Sequence, residues 1–179
     1  MNVKEISLTA LSASLYAVLS VVLAPISFGP VQLRVADCLL PLSALFGLPL
    51  VVGVTIGCLV GNIAGGIIAF GMVSPHDAVL GPIANLMAAS TIFLFRKRRL
   101  TSCILGSVII GVIVGGYLWL YVPSPDIFGL ALPAWAAMMV SITLSSLIAI
   151  AVIGYGILSI LSRPSNLDAL RSMGLKVLD

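Results

Sequence analysis

The sequence predicts an all-α integral membrane protein with six transmembrane helices and both termini in the cytoplasm. Three observations carry that expectation. Hydrophobic residues make up 60% of the 179-residue chain and charged residues only 8%, whereas soluble domains carry about 25% charged residues. Leu, Ile and Val fall in long uncharged runs, the pattern of spanning helices and not the alternation of a barrel strand. With six spans, eight of the nine basic residues fall on one side: Lys4, Arg96, Lys97, Arg98, Arg99, Arg163, Arg171 and Lys176, with Arg34 alone opposite. The basic side of such a protein faces the cytoplasm.

Pro, Gly and charge punctuate the six helices of a single domain over 1–179. The first, 6–23, ends before Pro25, Gly29 and Pro30. Apolar sequence continues after it, so it is a retained helix and not a cleaved signal. The second, 31–46, is short and closes at Gly47 and Pro49, a turn that makes helices two and three antiparallel neighbours. The third, 50–70, stops at Gly71, Ser74 and Pro75; the fourth, 78–95, runs into the block Arg96–Arg99. The fifth, 103–121, ends at Pro123 and Pro125, and the sixth, 134–161, at Arg163 and Pro164. Most match the ~20 residues that cross the hydrocarbon, and the long sixth can tilt. A cytoplasmic tail follows over 163–179, and its part from Asn166 to Asp179 is mildly amphipathic and is expected at the surface.

Within the second helix, Arg34 and Asp37 stand three residues apart among apolar neighbours. On an α-helix that spacing shares a face. Charges inside a span are costly and mark functional positions, although two charges that pair only with each other would serve the fold alone. His76, Asp77 and Asp126 fall in loops on the same outer side, with Gln32, Tyr117, Trp119, Tyr121 and Trp135 nearby. These aromatics fit an interfacial belt or, taken together, an outward pocket with flat walls and few polar anchors. His76 alone reads as a loop-ordering residue.

Two stripes of small residues call for close packing. Gly53, Gly57, Gly61 and Gly65 recur every four residues in helix three, and internal packing is the expected reason. Ala10, Ala13, Ala17, Ser20 and Ala24 mark helix one, where an internal seam and a partner subunit are both open. Cys38, Cys58 and Cys103 lie in apolar runs without metal-ligand spacing and read as packing residues. No phosphate loop, zinc-protease helix or nucleophile elbow occurs. No catalytic residue, metal, cofactor or nucleic-acid partner is expected. A small chain with an outward pocket and no engine fits a capture subunit driven by other chains.

The stretch Phe28-Gly29-Pro30-Val31-Gln32-Leu33-Arg34-Val35-Ala36-Asp37, followed by Leu39 to Pro41, resembles the opening signature of the QueT family. Gly53 to Asn62 and Asp77-Ala78-Val79-Leu80-Gly81-Pro82, leading to Ala88 and Ala89, are similar to that family too. Its members are substrate-binding S components of energy-coupling factor (ECF) transporters for queuosine precursors. The resemblance implies six helices and a small-molecule site near the extracellular face. It also implies docking through Ala13 and Ala17 to a transmembrane coupling subunit, which two ATPase subunits drive. A queuosine precursor is a 7-deazaguanine whose amide N–H and amine form a donor pair suited to a carboxylate, by the logic that reads base edges. On this resemblance Asp37 and Asp77 are acceptors, Arg34 and Asn85 donors, and Tyr117 or Trp119 a stacking wall. This sequence lacks the acidic residue typical of the family's last helix. An S component for another vitamin-like compound, or a small stand-alone secondary transporter, would share most of these features.

Overall fold

The computed structural model describes residues 2–27, 33–125 and 132–178, and among these every regular element is helical. Helix α1 (Val3–Val22) starts on a reciprocal cap: the Asn2 side chain accepts from the Glu5 N–H, and Glu5 accepts from the Asn2 N–H, both at 2.9 Å. A short turn, α2 (Ala24–Ser27), follows. Among the described residues five helical stretches are long and apolar enough to cross a membrane: Val3–Val22, Leu48–Ala69, Pro75–Leu94, Arg96–Leu118 and Ala134–Leu161.

The second expected span differs. Its described part is a 3₁₀ helix, Val35–Leu42, followed by a single turn, α3 (Ser43–Phe46). Pro41 lies inside it and lacks the N–H that an α-helix needs. The tighter 3₁₀ winding rises about 2.0 Å per residue. Every residue from Ala36 to Phe46 is buried, so this segment threads the centre of the bundle, touching α1, the two helices after it and the last span.

Gly47 turns the chain at φ +70°, a conformation that favours glycine, into α4 (Leu48–Phe70). The glycine stripe of α4 packs on α1, as its spacing predicts. A Cβ on Gly57 would lie 2.6 Å from the Ala13 carbonyl oxygen, and one on Gly61 2.7 Å from Ser20 Cβ. Ser12, Tyr16 and Ser20, spaced by four, form the buried face of α1.

The Ser74 hydroxyl caps α5 (Pro75–Leu94), accepting from the Asp77 N–H. A basic 3₁₀ turn, Arg96–Arg98, leads into α6 (Arg99–Leu118). The last span is not one regular helix. It runs as α7 (Ala134–Ser146), a π-helical stretch Leu147–Gly154, and α8 (Tyr155–Leu161). The π stretch packs on the 3₁₀ segment so closely that a Cβ on Gly154 would sit 2.7 Å from the Cys38 carbonyl oxygen.

Helix α9 (Pro164–Ser172) has no buried residue, consistent with a surface tail. The residues after it turn back onto the bundle instead. The Leu178 N–H donates to the Leu45 carbonyl at 2.8 Å, and Lys4 Nζ to the Met173 carbonyl at 3.1 Å. Both termini therefore lie at one end of the bundle.

Candidate binding site

Polar side chains from six segments meet in the half of the bundle away from the termini. Asp77 stands in the first turn of α5, held there by the Ser74 cap. Its Oδ1 accepts from the Tyr117 hydroxyl at 2.5 Å and pairs with Arg34 Nη2 at 3.3 Å. Arg34 Nη1 also donates to Asn62 Oδ1 at 3.3 Å, and Asn62 Nδ2 donates to the Asp77 backbone carbonyl at 2.7 Å. Three helices and the segment ahead of the 3₁₀ helix are thus joined through one residue, Asp77, by its carboxylate and its backbone carbonyl.

A second group lies deeper. The Tyr16 hydroxyl donates to Asp37 Oδ1 at 2.5 Å and accepts from Asn85 Nδ2 at 2.9 Å. Asp37 is only 1% exposed, and its Oδ2 is buried with no hydrogen-bond partner among the described residues. Asp77, Gly81 and Asn85 follow one another at four-residue spacing, so a single face of α5 connects the two groups over about 12 Å of helix. Gly81 leaves that face bare between them. A Cβ there would meet the Asn62 side chain and lie 3.6 Å from Arg34 Nη1.

The expected facing of Arg34 and Asp37 is corrected. Arg34 sits just ahead of the 3₁₀ helix with φ −80° and ψ 82°, outside any helix. The face-sharing rule for three-residue spacing therefore does not govern it, and its side chain reaches α4 and α5. Each of the two charges has its own partner: Asp77 for Arg34, and Tyr16 for Asp37.

A cavity of about 380 Å³ opens beside Asp77, walled by Val73, His76, Leu118, Tyr121 and Val122. The rings of His76 and Tyr121 lie 4.6 Å apart at 32°, and His76 Nε2 is 2.9 Å from the Tyr121 hydroxyl. Trp119 does not reach this cavity. It stands at the end of α6, 37% exposed, with its indole N–H donating to the Gly116 carbonyl at 3.0 Å. Tyr117 turns its hydroxyl to Asp77 and acts as a hydrogen-bond donor there. Of the sequence-predicted residues, Arg34 and Tyr117 meet Asp77, which alone of the three lines the cavity, and Asp37 and Asn85 lie behind them. Gln32 and Asp126 lie outside the described residues.

Tyr16 and Asn62 are the two members that sequence reasoning missed as binding residues. The signal for Tyr16 was its place between Ser12 and Ser20 on one helical face. For Asn62 it was a lone amide in an apolar helix. Ala13 and Ala17 are half-buried at the rim of the α1–α4 seam, and Ala10 and Ser14 are exposed. Among the described residues no group of His, Cys, Asp and Glu could hold a metal ion.

A family model described as QueT transporter matches residues 6–163, which covers every expected span and leaves α9 and the tail outside. No curated protein and no solved structure matches the chain.

Proposed function

The chain belongs to the QueT transporter family, and from that premise we propose that it is the capture subunit of an ECF importer, binding a queuosine-precursor 7-deazapurine outside the cell. Membership makes it a multi-pass membrane protein with a role in transport. The observation that carries the finer reading is the cavity beside Asp77: a buried carboxylate oriented by Arg34 and Tyr117, under an aromatic wall of His76 and Tyr121. A 7-deazaguanine presents its N–H and amine to such a carboxylate and its carbonyl to an arginine. Its ring stacks on an aromatic wall, a contact worth about 1–3 kcal/mol per base in single-strand binders. Asp37 and Asn85 supply a further acceptor and donor behind this rim.

The coupling subunit docks on α1. Only a narrow face of that helix is buried, and its outer side carries Ala10, Ser14 and the rim residues Ala13 and Ala17. Small residues let another helix approach closely. ATP hydrolysis belongs to two further chains. One preparation, coexpressed with an ECF module and titrated in detergent with 7-aminomethyl-7-deazaguanine, tests both parts. Wild type should bind the compound and carry the coupling subunit through purification. Ala10→Trp should keep the affinity within twofold and lose the subunit. No binding by wild type would refute the ligand assignment, and retention of the subunit by Ala10→Trp would refute the docking face.

Orientation follows from charge: the end holding both termini and Arg96–Arg99 lies in the cytoplasm. Cys38, Cys58 and Cys103 are all buried, so they form a silent background for labelling. With an impermeant maleimide on intact cells, Pro123→Cys should react from outside and Lys97→Cys only after permeabilisation. The reverse pattern would place the cavity on the cytoplasmic side.

A further inference from the structure

Arg96, Lys97, Arg98 and Arg99 form one uninterrupted run of cations, and the sequence places no acidic residue between Asp77 and Asp126. Among the described residues none of the four enters an ion pair; the pairs are Arg34–Asp77 and Arg171–Asp168. The run is held in a defined turn. A 3₁₀ turn, with the Arg98 N–H donating to the Phe95 carbonyl at 2.8 Å, joins two 20-residue helices, α5 and α6. Arg96 folds back: its guanidinium lies over the Phe93 ring, 5.3 Å from the centroid, and Nη1 donates to the Phe93 carbonyl at 3.5 Å. Its Nε is buried with no hydrogen-bond partner among the described residues. Lys97 and Arg98 are exposed, and Arg99 is half-buried. No side chain caps the start of α6, in contrast to α1 and α5, so the positive end of that helix adds to the charge of the run.

Orientation by charge needs cations on one side of the membrane; it does not need four of them in one fixed turn. Leu94, Phe95 and Leu100, which flank the run, are 69%, 55% and 47% exposed. Apolar surface therefore borders the cations in both directions, and in a bilayer it lies in hydrocarbon with the cations at the level of the phosphates. We propose that this turn is a binding site for an anionic phospholipid of the cytoplasmic leaflet. Lys97, Arg98 and Arg99 hold the phosphate, and the acyl chains run along Leu94, Phe95 and Leu100. Clusters of four or more basic residues immediately cytoplasmic of a spanning helix take acidic headgroups in this way. The charge alone would also suit an acidic protein surface. The apolar flanks favour lipid, which meets both parts of the site at once. Nothing in this site depends on the identity of the transported substrate.

The test uses the purified chain in micelles doped equally with phosphatidylglycerol and phosphatidylcholine, with retained lipid counted by native mass spectrometry. Each cation near an anionic surface is worth roughly fivefold in binding, so wild type should retain the anionic lipid at least about tenfold over the zwitterionic one. The triple substitution Lys97→Gln, Arg98→Gln, Arg99→Gln should bring that ratio within about twofold of unity. Removing three other cations, by Arg163→Gln, Arg171→Gln and Lys176→Gln, should keep at least about half of the wild-type preference, which separates this site from net charge. Equal retention of the two lipids by wild type, or the same loss in both triple variants, would overturn the proposal. If the first triple variant does not fold, Arg98→Gln alone should lower the ratio at least about threefold, and an unchanged ratio there would overturn the proposal as well. If wild type shows no lipid preference and the first triple variant instead loses the coupling subunit in neutral lipid, the run serves an acidic protein surface and the lipid assignment ends.

Discussion

Arg34→Leu should destabilise the chain by about 3–5 kcal/mol, the loss seen when one partner of a buried ion pair is removed. The guanidinium holds Asp77 and Asn62 together, and without it the buried Asp77 carboxylate keeps the Tyr117 hydroxyl but loses its counter-charge. Adding Asp77→Leu should recover a large part of that loss, because the carboxylate left stranded is then gone. Adding Asp37→Leu should recover less, since Asp37 depends on Tyr16 and not on Arg34 for its hydrogen bond. Thermal melts of the three variants in one detergent make the comparison. Better rescue by Asp37→Leu would mean that the helical-face pairing of Arg34 with Asp37 is the stronger interaction after all.

Tyr16→Phe should be the most damaging loss of a single hydroxyl. It leaves Asp37 Oδ1 without its donor and Asn85 without its acceptor, and each buried group left unsatisfied costs about 1–3 kcal/mol. Tyr117→Phe should cost less, because Asp77 keeps Arg34. Equal melting temperatures for the two variants would mean that the inner group is hydrated and not sealed in the core. The contrast needs no ligand, so it reads the scaffold separately from the binding proposals.

Most of the helical layout was legible because proline, glycine and charge end helices for local reasons. The glycine stripe of α4 foretold a close seam for the same kind of reason: a missing Cβ is visible in sequence. What could not be read locally was the winding of the segment after Arg34. Apolar residues on every side are compatible with an α-helix; Pro41 was the one local signal against it, and the close packing of Cys38 and Pro41 on Gly154 is a contact between distant parts of the chain. The partner of Arg34 followed from that misreading of geometry, since a residue outside the helix obeys no helical face. Tyr16 was hidden by its surroundings. The small residues of α1 drew the eye to Ala13 and Ala17, while the polar face of the same helix held the donor to Asp37. Trp119 and Tyr121 are two residues apart, and composition cannot say which ring meets His76 at the cavity.

The 3₁₀ winding of Val35–Leu42 also sets how far the buried segment reaches. Eight residues at about 2.0 Å each occupy roughly 16 Å, and the same eight wound as an α-helix occupy roughly 12 Å. The 3₁₀ winding therefore makes this buried path about 4 Å longer than an α-helix of the same eight residues would be. Arg34 is attached to one end of this segment and Asp37 is carried within it. The π-helical stretch it leans on is wound in the opposite sense of departure from α, wider where the other is tighter. Two irregularities in contact thus set the depth at which the core holds its charges, with Arg34 at one end of the longer path and Asp37 inside it.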